Sequence, residues 1–225
     1  MGPEATAELY LRIIRIFQSM GVKYDSDYPK IFIYNLPLPD IVKKRIDENA
    51  IIYSLINGVK TLENAGSSFI AISCNSVYYY LKKLQKSSSI PIIDLIGETC
   101  ALISKKQYKL VGILGTNLTI KRKLFEKCLD RYGIKTLIPT AIEQKIITKV
   151  IMNILSGKKL ESDKMKLLSI IKSLKGRGGE CVILGCTELP LILSNEDGNL
   201  VLIDTLDILA KTIVKNSAEE RLGVN

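Results

Sequence analysis

The 225-residue sequence contains no histidine and no tryptophan, and it has no apolar run long enough for a membrane-spanning helix. Without histidine, acid–base chemistry near neutral pH must use another group, and thiols with shifted pKa values are the obvious candidates. The lack of histidine and of any Cys-x-x-Cys pair also argues against a zinc site. The chain does not open on a basic segment followed by an apolar core, so we expect no signal peptide and a cytoplasmic location.

The remaining composition is that of a globular protein, with 47% hydrophobic and 24% charged residues. The formal net charge of +9 allows a nucleic acid or an acidic substrate as a partner. Most lysines are spaced as on a solvated helix face, and no nucleic-acid recognition motif is present, which makes nucleic acid the minority interpretation. The five cysteines are odd in number, which argues against a disulfide framework.

Two halves of the sequence follow one plan. A shift of 112 residues aligns GVKTLENAGSSFIAISCNS (58–76) with IIKSLKGRGGECVILGCTE (170–188) without a gap. Each segment predicts a helix, a glycine that ends it, and a short strand of the kind found in parallel sheets buried on both faces. Each strand then runs into a cysteine and a polar residue, so Cys74 and Cys186 occupy equivalent positions.

The repeat predicts an α/β fold with two lobes, whose mostly parallel sheets face a central cleft. Lobe one comprises residues 1–98 and 205–225, and lobe two comprises residues 106–203. The second half opens on a strand and a helix, whereas the first half opens directly on a helix from about Glu4 to Met20. The predicted strands are 31–35, 69–73, 91–93, 110–114, 135–138, 181–184 and 201–203.

Both cysteines fall where α/β proteins build their sites, beyond the carboxyl ends of strands. Asn75-Ser76 and Thr187-Glu188 follow them, and Asn, Ser and Thr are good N-cap residues. We therefore expect each thiol at or just before a helix N-terminus, which lowers a thiol pKa and favours an anion. A symmetric pair of thiols across a cleft suits inversion at carbon, with a base on one face and an acid on the other.

The alternative for any single strand-end cysteine is an ordinary core residue, since free cysteine is among the most buried residue types. Two cysteines occupy equivalent positions of the repeat, and a capping residue follows each of them. This pattern favours a catalytic role over that of two ordinary core residues. The other three cysteines lack this context and are predicted to be structural, although a redox pair is also possible. They are Cys100, Cys128 and Cys181.

The segments MGPEATAELYLRII, SCNS and GCTELPLIL resemble the aspartate/glutamate racemase family of cofactor-independent amino-acid racemases. The resemblance covers nearly the whole chain and is greatest to the aspartate racemase branch. It implies two pseudo-symmetric Rossmann-like lobes, a homodimer, a small amino-acid substrate, no pyridoxal phosphate and no metal. It also implies that one cysteine removes the α-proton while the other returns a proton on the opposite face.

By this resemblance, Cys74 and Cys186 are the two acid–base thiols. Asn75, Ser76 and Thr187 would hold the α-carboxylate and α-amino groups through side chains and backbone N–H groups. The first loop and the equivalent loop of lobe two would supply further contacts, and Tyr78 is expected to line the cleft. The substrate-binding residues are then Met1, Gly2, Asn75, Ser76, Thr116, Thr187, Glu188 and Arg45.

The sequence departs from the family pattern in three places. The family has a strand ending in a glycine pair before MGP, and this strand is missing here. The hypothesis is a misplaced start, with a fold that does without this central strand as the alternative. Ile41 stands where aspartate-specific members often carry an arginine, and Leu155 stands where they can carry a lysine. Arg45 is the predicted partner of a side-chain carboxylate, with a solvated helix face as the alternative. These departures leave glutamate or another substrate open, as well as a related isomerase or a non-catalytic sensor of acidic amino acids.

Overall fold

The structure is a computed structural model that describes residues 1–38, 47–197 and 199–221. Its strands are β1 (Leu110–Gly115), β2 (Lys135–Leu137), β3 (Cys181–Gly185) and β4 (Val201–Asp204). Its longer helices are α1 (Pro3–Ser19), α2 (Glu48–Asn64), α4 (Leu95–Lys105), α7 (Ala141–Leu155), α8 (Glu161–Gly176) and α9 (Thr205–Arg221). The shorter helices are α3 (Leu81–Ser87), α5 (Asn117–Lys121) and α6 (Glu126–Leu129). Within these ranges, no helix is both long and apolar enough to cross a membrane.

The four strands form one parallel sheet in the order β2-β1-β3-β4. Successive side chains of a strand point to opposite faces, and both faces of this sheet are buried. Val182 and Leu184 of β3 pack with α7 and α8, whereas Cys181 and Ile183 pack into the core on the opposite face. The prediction of an α/β protein with a parallel sheet is therefore confirmed.

The strands predicted in the second half are confirmed to within two residues, but those of the first half are wrong. Residues 31–35 are extended without forming a strand, and segments 69–73 and 91–93 share a single parallel bridge between Ile70 and Ile92. A strand needs a neighbour that takes up its backbone hydrogen bonds. Here a cavity of about 630 Å³ separates residues 31–36 from residues 69–73, so neither segment completes a ladder.

The helix expected after the first strand of the second half is also interrupted. Lys123 has a φ of 54°, in the left-handed region, which ends α5 and separates it from α6. The last helix does return to the first half, because α9 packs along α1 and α4. One large hydrophobic cluster includes side chains from both halves, so the division into two lobes at residues 98 and 106 stays a prediction.

The internal repeat is visible in the backbone at the ends of α2 and α8. Gly66 and Gly178 have φ values of +87° and +92°, a left-handed conformation that glycine adopts without steric cost. The Ser67 N–H donates to Leu62 O at 3.2 Å, and the Gly179 N–H donates to Leu174 O at 3.0 Å. The two helices therefore end in the same C-terminal motif, with equivalent hydrogen bonds 112 residues apart.

The side chain of Asp94 stabilises the start of helix α4. Asp94 Oδ1 accepts the Gly97 N–H at 3.0 Å and so caps the N-terminus of α4. Asp94→Ala should lower the stability of the chain by about 1 kcal/mol, the usual cost of a lost cap. In thermal unfolding this corresponds to roughly 2–4 °C. Asp94→Asn keeps an oxygen acceptor and should lose much less, and equal losses in both variants would contradict this role.

Candidate active site

Cys74 and Cys186 line the same cavity of about 210 Å³. Cys74 follows the extended segment that ends at Ser73, and Cys186 follows β3, so both lie beyond the carboxyl ends of parallel segments. Of the ten residues predicted to form the site, nine line this cavity, and Arg45 lies in residues 39–46, outside the described residues. The nine are Met1, Gly2, Cys74, Asn75, Ser76, Thr116, Cys186, Thr187 and Glu188.

The two cysteines differ in their local backbone. Cys74 is the N-cap residue of a 3₁₀ helix, Asn75–Tyr80, as the sequence predicted. Cys186 is not at a helix start, because the next helical turn is the 3₁₀ helix Leu189–Leu191. Pro190 fits in this first turn because its missing N–H would have had no helical partner there. The expectation that both thiols lie at helix N-termini is therefore wrong for Cys186.

The expected lowering of the thiol pKa values is also wrong. Burial, with the charge of Glu188 as the second cause, raises the pKa of Cys74 to about 11. Burial and the charge of Glu188 raise the pKa of Cys186 well above its ordinary value. Glu188 is the one acidic or basic side chain among the described residues that line the cavity, and a nearby carboxylate disfavours a thiolate. Both thiols are therefore protonated at neutral pH when the cavity is empty.

Glu188 is buried beside Cys186, and its carboxylate is restrained by hydrogen bonds and by close packing. The Cys186 thiol donates to Glu188 Oε2 at 2.9 Å, and the Thr187 hydroxyl lies 3.2 Å from the same oxygen. Gly2 packs so closely on this carboxylate that a Cβ at residue 2 would collide with Glu188 Oε1. Gly2 has an ordinary φ of −66°, so close approach is what requires glycine here.

Three hydroxyls join the two halves of the chain at the cavity, which Ser76 and Thr116 line. Ser76 Oγ lies 2.8 Å from Thr116 Oγ1, and Thr116 Oγ1 lies 3.1 Å from Thr119 Oγ1. Thr116 also accepts the Thr119 N–H at 3.2 Å and so caps α5. Hydroxyls both donate and accept, so this cluster can reorient towards a carboxylate that enters the cavity.

Asn75 carries a hydrogen-bond acceptor with no partner among the described residues. Its Nδ2 donates to Thr205 Oγ1 at 2.9 Å, and Thr205 in turn donates to Leu184 O at 2.9 Å. Because the Thr205 hydroxyl already donates, it must accept from Asn75, which fixes the orientation of the amide. The buried Oδ1 of Asn75 is left without a hydrogen bond among the described residues, which is uncommon for a buried polar atom and calls for an explanation such as a catalytic role or a bound ion.

The cavity has an apolar side that the sequence analysis missed. Three aliphatic side chains line it, Leu38 from the segment after residue 36 and Ile151 and Leu155 from α7, together with Pro3. The spacing of Ile151 and Leu155 by four residues puts both on one face of α7, and the apolar period of that helix was the available signal. Leu155 is also the position where related proteins can carry a lysine.

The remaining predicted features lie away from the cavity. The Tyr78 hydroxyl donates to Ile72 O at 3.1 Å within the core, so the expectation that Tyr78 lines the cleft is wrong. A buried tyrosine needs a hydrogen-bond partner for its hydroxyl, and Ile72 O is that partner here. The three other cysteines, Cys100, Cys128 and Cys181, are buried and do not line the cavity.

Comparisons with known proteins place similar chains among the amino-acid racemases. The broad-specificity amino-acid racemase RacX of Bacillus subtilis is 27% identical over 215 residues, covering 95% of this chain and 93% of that protein. A glutamate racemase of Neisseria meningitidis is 27% identical over 160 residues, covering 68% of this chain and 58% of that protein.

Among solved structures, the aspartate racemase of Picrophilus torridus superposes with a TM-score of 0.83 at 26% identity, covering all of this chain and 96% of that one. An aspartate racemase homologue from Pyrococcus horikoshii gives a TM-score of 0.78 at 26% identity, covering 96% of this chain and 95% of that one. A sequence model of the Asp/Glu/hydantoin racemase family matches residues 1–213. The chain belongs to the Asp/Glu/hydantoin racemase family.

Proposed function

We propose that this protein is an amino-acid racemase that interconverts L- and D-aspartate with two thiols as the acid and the base. The observation that carries the proposal is that Cys74 and Cys186, from equivalent positions of the repeat, line one small cavity. At about 210 Å³ this cavity is smaller than the roughly 300–1,000 Å³ typical of sites for drug-sized ligands. It suits a substrate as small as a single amino acid.

The reaction needs one thiolate and one thiol at the same time. The thiolate takes the proton from Cα, and the electron pair of that C–H bond moves into the α-carboxylate as an enolate-like carbanion. The second thiol then donates its proton to the opposite face of Cα and becomes the thiolate. The reverse direction exchanges the two roles, so a pair of groups with the same chemistry serves both directions.

The substrate itself can supply the charge that creates the thiolate. The cavity is lined by the Glu188 carboxylate and two protonated thiols, and the N-terminal ammonium of Met1, which also lines it, lowers the pKa of Cys74 and partly offsets burial and Glu188. The α-ammonium of a bound amino acid lowers the pKa of a nearby thiol, and Asn75 Oδ1 is the free acceptor that can hold it. The hydroxyls of Ser76 and Thr116 and the backbone N–H groups beside the cysteines are the donors for the α-carboxylate.

Glu188 gives the two thiols different surroundings. Its carboxylate accepts a hydrogen bond from the Cys186 thiol, so it can take the proton of Cys186 when that residue must act as the base. For the side-chain carboxylate of aspartate we propose Arg45, because the segment that contains it begins directly after Leu38, which lines the cavity. A guanidinium is the cation best matched to a carboxylate.

A second candidate is racemisation of amino acids with apolar side chains. It is favoured by the wall of Leu38, Ile151 and Leu155, which offers a substrate side chain only aliphatic contacts. The relative from Bacillus subtilis is named as a broad-specificity racemase, which is compatible with a substrate other than aspartate. Glutamate is the alternative that the glutamate racemase relatives support.

The test is to incubate single enantiomers in D₂O with the wild-type protein and to follow optical activity and α-deuterium together. The proposal expects aspartate to lose optical activity while its α-position gains deuterium. Glutamate, alanine and leucine are assayed in parallel, and faster turnover of any of them reassigns the substrate. If no amino acid is turned over but aspartate raises the melting temperature, the chain is a sensor of acidic amino acids and the enzyme proposal is wrong.

A pH dependence follows from the raised thiol pKa values. Since the pKa of Cys74 is about 11 and that of Cys186 is also raised, the fraction of enzyme with one thiolate grows about tenfold per pH unit below those values. We expect kcat/KM for aspartate to rise with pH between 7 and 9 with a slope approaching one on logarithmic axes. A profile that is level across this range would show that a thiol is already ionised in the free enzyme.

We also propose that the active form is a homodimer, as the family resemblance implies. Sedimentation equilibrium at several protein concentrations would show a mass twice the 25.1 kDa of one chain. A monomer that retains full racemase activity would refute this part of the proposal.

A further inference from the structure

Two buried thiols interact with each other outside the candidate active site. Cys100 is on α4 and Cys128 is on α6, and the two helices pack against one another. Both side chains belong to the large hydrophobic cluster, with exposed fractions of 0% for Cys100 and 4% for Cys128. Each thiol shifts the pKa of the other through a hydrogen bond. Neither residue lines the active-site cavity, so the chemistry proposed above gives this pair no role.

The sulfur of Cys128 has a cation beside it. Arg131 Nη2 donates to Cys128 Sγ at 3.2 Å. Residues 130–132 form one 3₁₀ turn directly after α6, and side chains three positions apart on a helical segment are neighbours, so the turn brings the guanidinium to the sulfur. A guanidinium is always charged in proteins, and a hydrogen bond from it is strongest to an anionic acceptor. The contact therefore favours the thiolate form of Cys128.

The five cysteines of the chain differ in acidity, and Cys128 stands apart from the rest. The hydrogen bond from Cys100 has the largest influence on the pKa of Cys128 and lowers it, burial opposes this, and the Arg131 guanidinium lowers it further. The same hydrogen bond, together with burial, raises the pKa of Cys100. Burial is the first cause of a raised pKa in the other three, Cys74, Cys181 and Cys186. The pair therefore loses its first proton from Cys128, while Cys100 keeps its own.

This arrangement gives the two thiols different chemical roles. The thiolate is the form of cysteine that reacts with oxidants, which makes Cys128 the reactive member of the pair. Cys100 is a thiol within reach of the first oxidation product, the position of a resolving cysteine in redox-active pairs. Because only 4% of Cys128 is exposed, the oxidant that fits is one as small as hydrogen peroxide.

We propose that Cys100 and Cys128 form an oxidation site, which hydrogen peroxide converts into a reversible disulfide between α4 and α6. Cys128 is the residue that reacts with the peroxide, and Cys100 resolves the product. Arg131 is a positioning residue that directs the reaction to Cys128. The site is independent of the proposed racemase activity, because its evidence is a set of contacts among residues that do not line the active-site cavity.

The oxidation proceeds in two steps and consumes one molecule of peroxide. The Cys128 thiolate attacks one oxygen of the peroxide, the O–O bond breaks, hydroxide leaves, and Cys128 becomes a sulfenic acid. The Cys100 thiol gives its proton to this hydroxide, and its sulfur attacks the sulfenic sulfur. The S–S bond forms as the S–O bond breaks, and the departing hydroxide takes up the proton that Cys128 released when it ionised. The two thiols lose two electrons and two protons in total, and the peroxide is reduced to two molecules of water.

The experiment treats the full chain with an equimolar amount of hydrogen peroxide, blocks the remaining thiols, and maps every cysteine by tryptic digestion and mass spectrometry. Cleavage after lysine and arginine places Cys100 in the peptide 87–105 and Cys128 in the peptide 128–131. We expect these two peptides to appear joined, at about 2 Da below the sum of their reduced masses, and to separate after dithiothreitol. Oxidation of another cysteine before Cys128, or a disulfide between Cys128 and a residue other than Cys100, would overturn the proposal.

Variants separate the roles of the three residues. Arg131→Gln should slow disulfide formation at neutral pH by about tenfold, the loss of thiolate when a thiol pKa rises by one unit. The pH at which the rate is half-maximal should rise in this variant and stay unchanged in Arg15→Gln, a matched change at an exposed arginine of α1. Equal rates in the two arginine variants would overturn the role of Arg131, and both variants leave the buried thiols in place.

Replacing each thiol in turn tests the order of the two steps. Cys100→Ala should stop the reaction at a sulfenic acid on Cys128, about 16 Da heavier than the thiol and trapped by dimedone. Cys128→Ala should leave Cys100 reduced at the same dose of peroxide. Oxidation of Cys100 in the absence of Cys128, at the rate seen in the wild-type chain, would contradict the assignment of Cys128 as the reactive thiol.

Discussion

Replacing either Cys74 or Cys186 by serine is expected to reduce the racemisation of aspartate by about 10²- to 10⁴-fold, the usual contribution of a general acid or base. A serine hydroxyl has nearly the size of a thiol but does not ionise in the working pH range, so it cannot serve as the base. Each catalytic cycle in either direction needs both thiols, and the two single variants should therefore lose activity in both directions. The measurement is the initial rate from each enantiomer by chiral chromatography.

The control for these variants is Cys181→Ser, since Cys181 is buried in β3 and does not line the cavity. Cys181→Ser should lower the melting temperature while leaving the racemisation rate per folded molecule close to that of the wild type. A double variant with both Cys74 and Cys186 replaced should be about as slow as either single variant, because residues that act as one unit do not contribute additively. If either single variant retains the wild-type rate, that thiol has no role in the chemistry.

Asn75→Ala is expected to raise the KM for aspartate by about 10- to 150-fold. Asn75 Oδ1 is a buried acceptor without a partner, and a hydrogen bond to a charged ammonium contributes about 1.5–3 kcal/mol. The ammonium is bound in the ground state and in the transition state alike, so KM should change more than kcat. Steady-state kinetics over a wide range of aspartate concentrations separates the two parameters.

Two further variants distinguish binding from a general loss of structure. Thr205→Val removes the hydroxyl that orients the Asn75 amide and should raise KM in the same direction by a smaller factor. Asn57→Ala, on the exposed face of α2, should leave both parameters unchanged. If Asn75→Ala lowered kcat and left KM unchanged, the amide would act on the transition state rather than on the ammonium.

The internal repeat is what made the candidate site predictable from the sequence. Helix, glycine, strand and thiol recur with one fixed spacing, and strands of a parallel sheet bring their carboxyl ends together. If the two halves face a common cleft, this pattern predicts that Cys74 and Cys186 lie near one another. Asn75, Ser76, Thr187 and Glu188 follow the cysteines in the chain and came with them. The other cavity residues among those predicted, Met1, Gly2 and Thr116, were predicted from the family resemblance.

Features that depend on distant parts of the chain were not predictable in this way. Asn75 is oriented by Thr205, 130 positions away, and no local pattern links the two residues. The thiol pKa values were predicted in the wrong direction because helix position is local, whereas burial and the Glu188 carboxylate depend on the folded cavity. Residues 31–35 have a strand-like sequence, but a strand forms only where a neighbouring strand accepts its hydrogen bonds.

The central claim is that the two thiols act on opposite faces of one carbon atom, and α-proton exchange in the single variants tests it most directly. Cys186→Ser and Cys74→Ser are each incubated with L-aspartate and with D-aspartate in D₂O, and α-deuterium is measured by NMR. We predict that each variant exchanges only one enantiomer, with retention of configuration, and that the two variants select opposite enantiomers. Exchange of the same enantiomer by both variants, or of both enantiomers by one variant, would contradict the account.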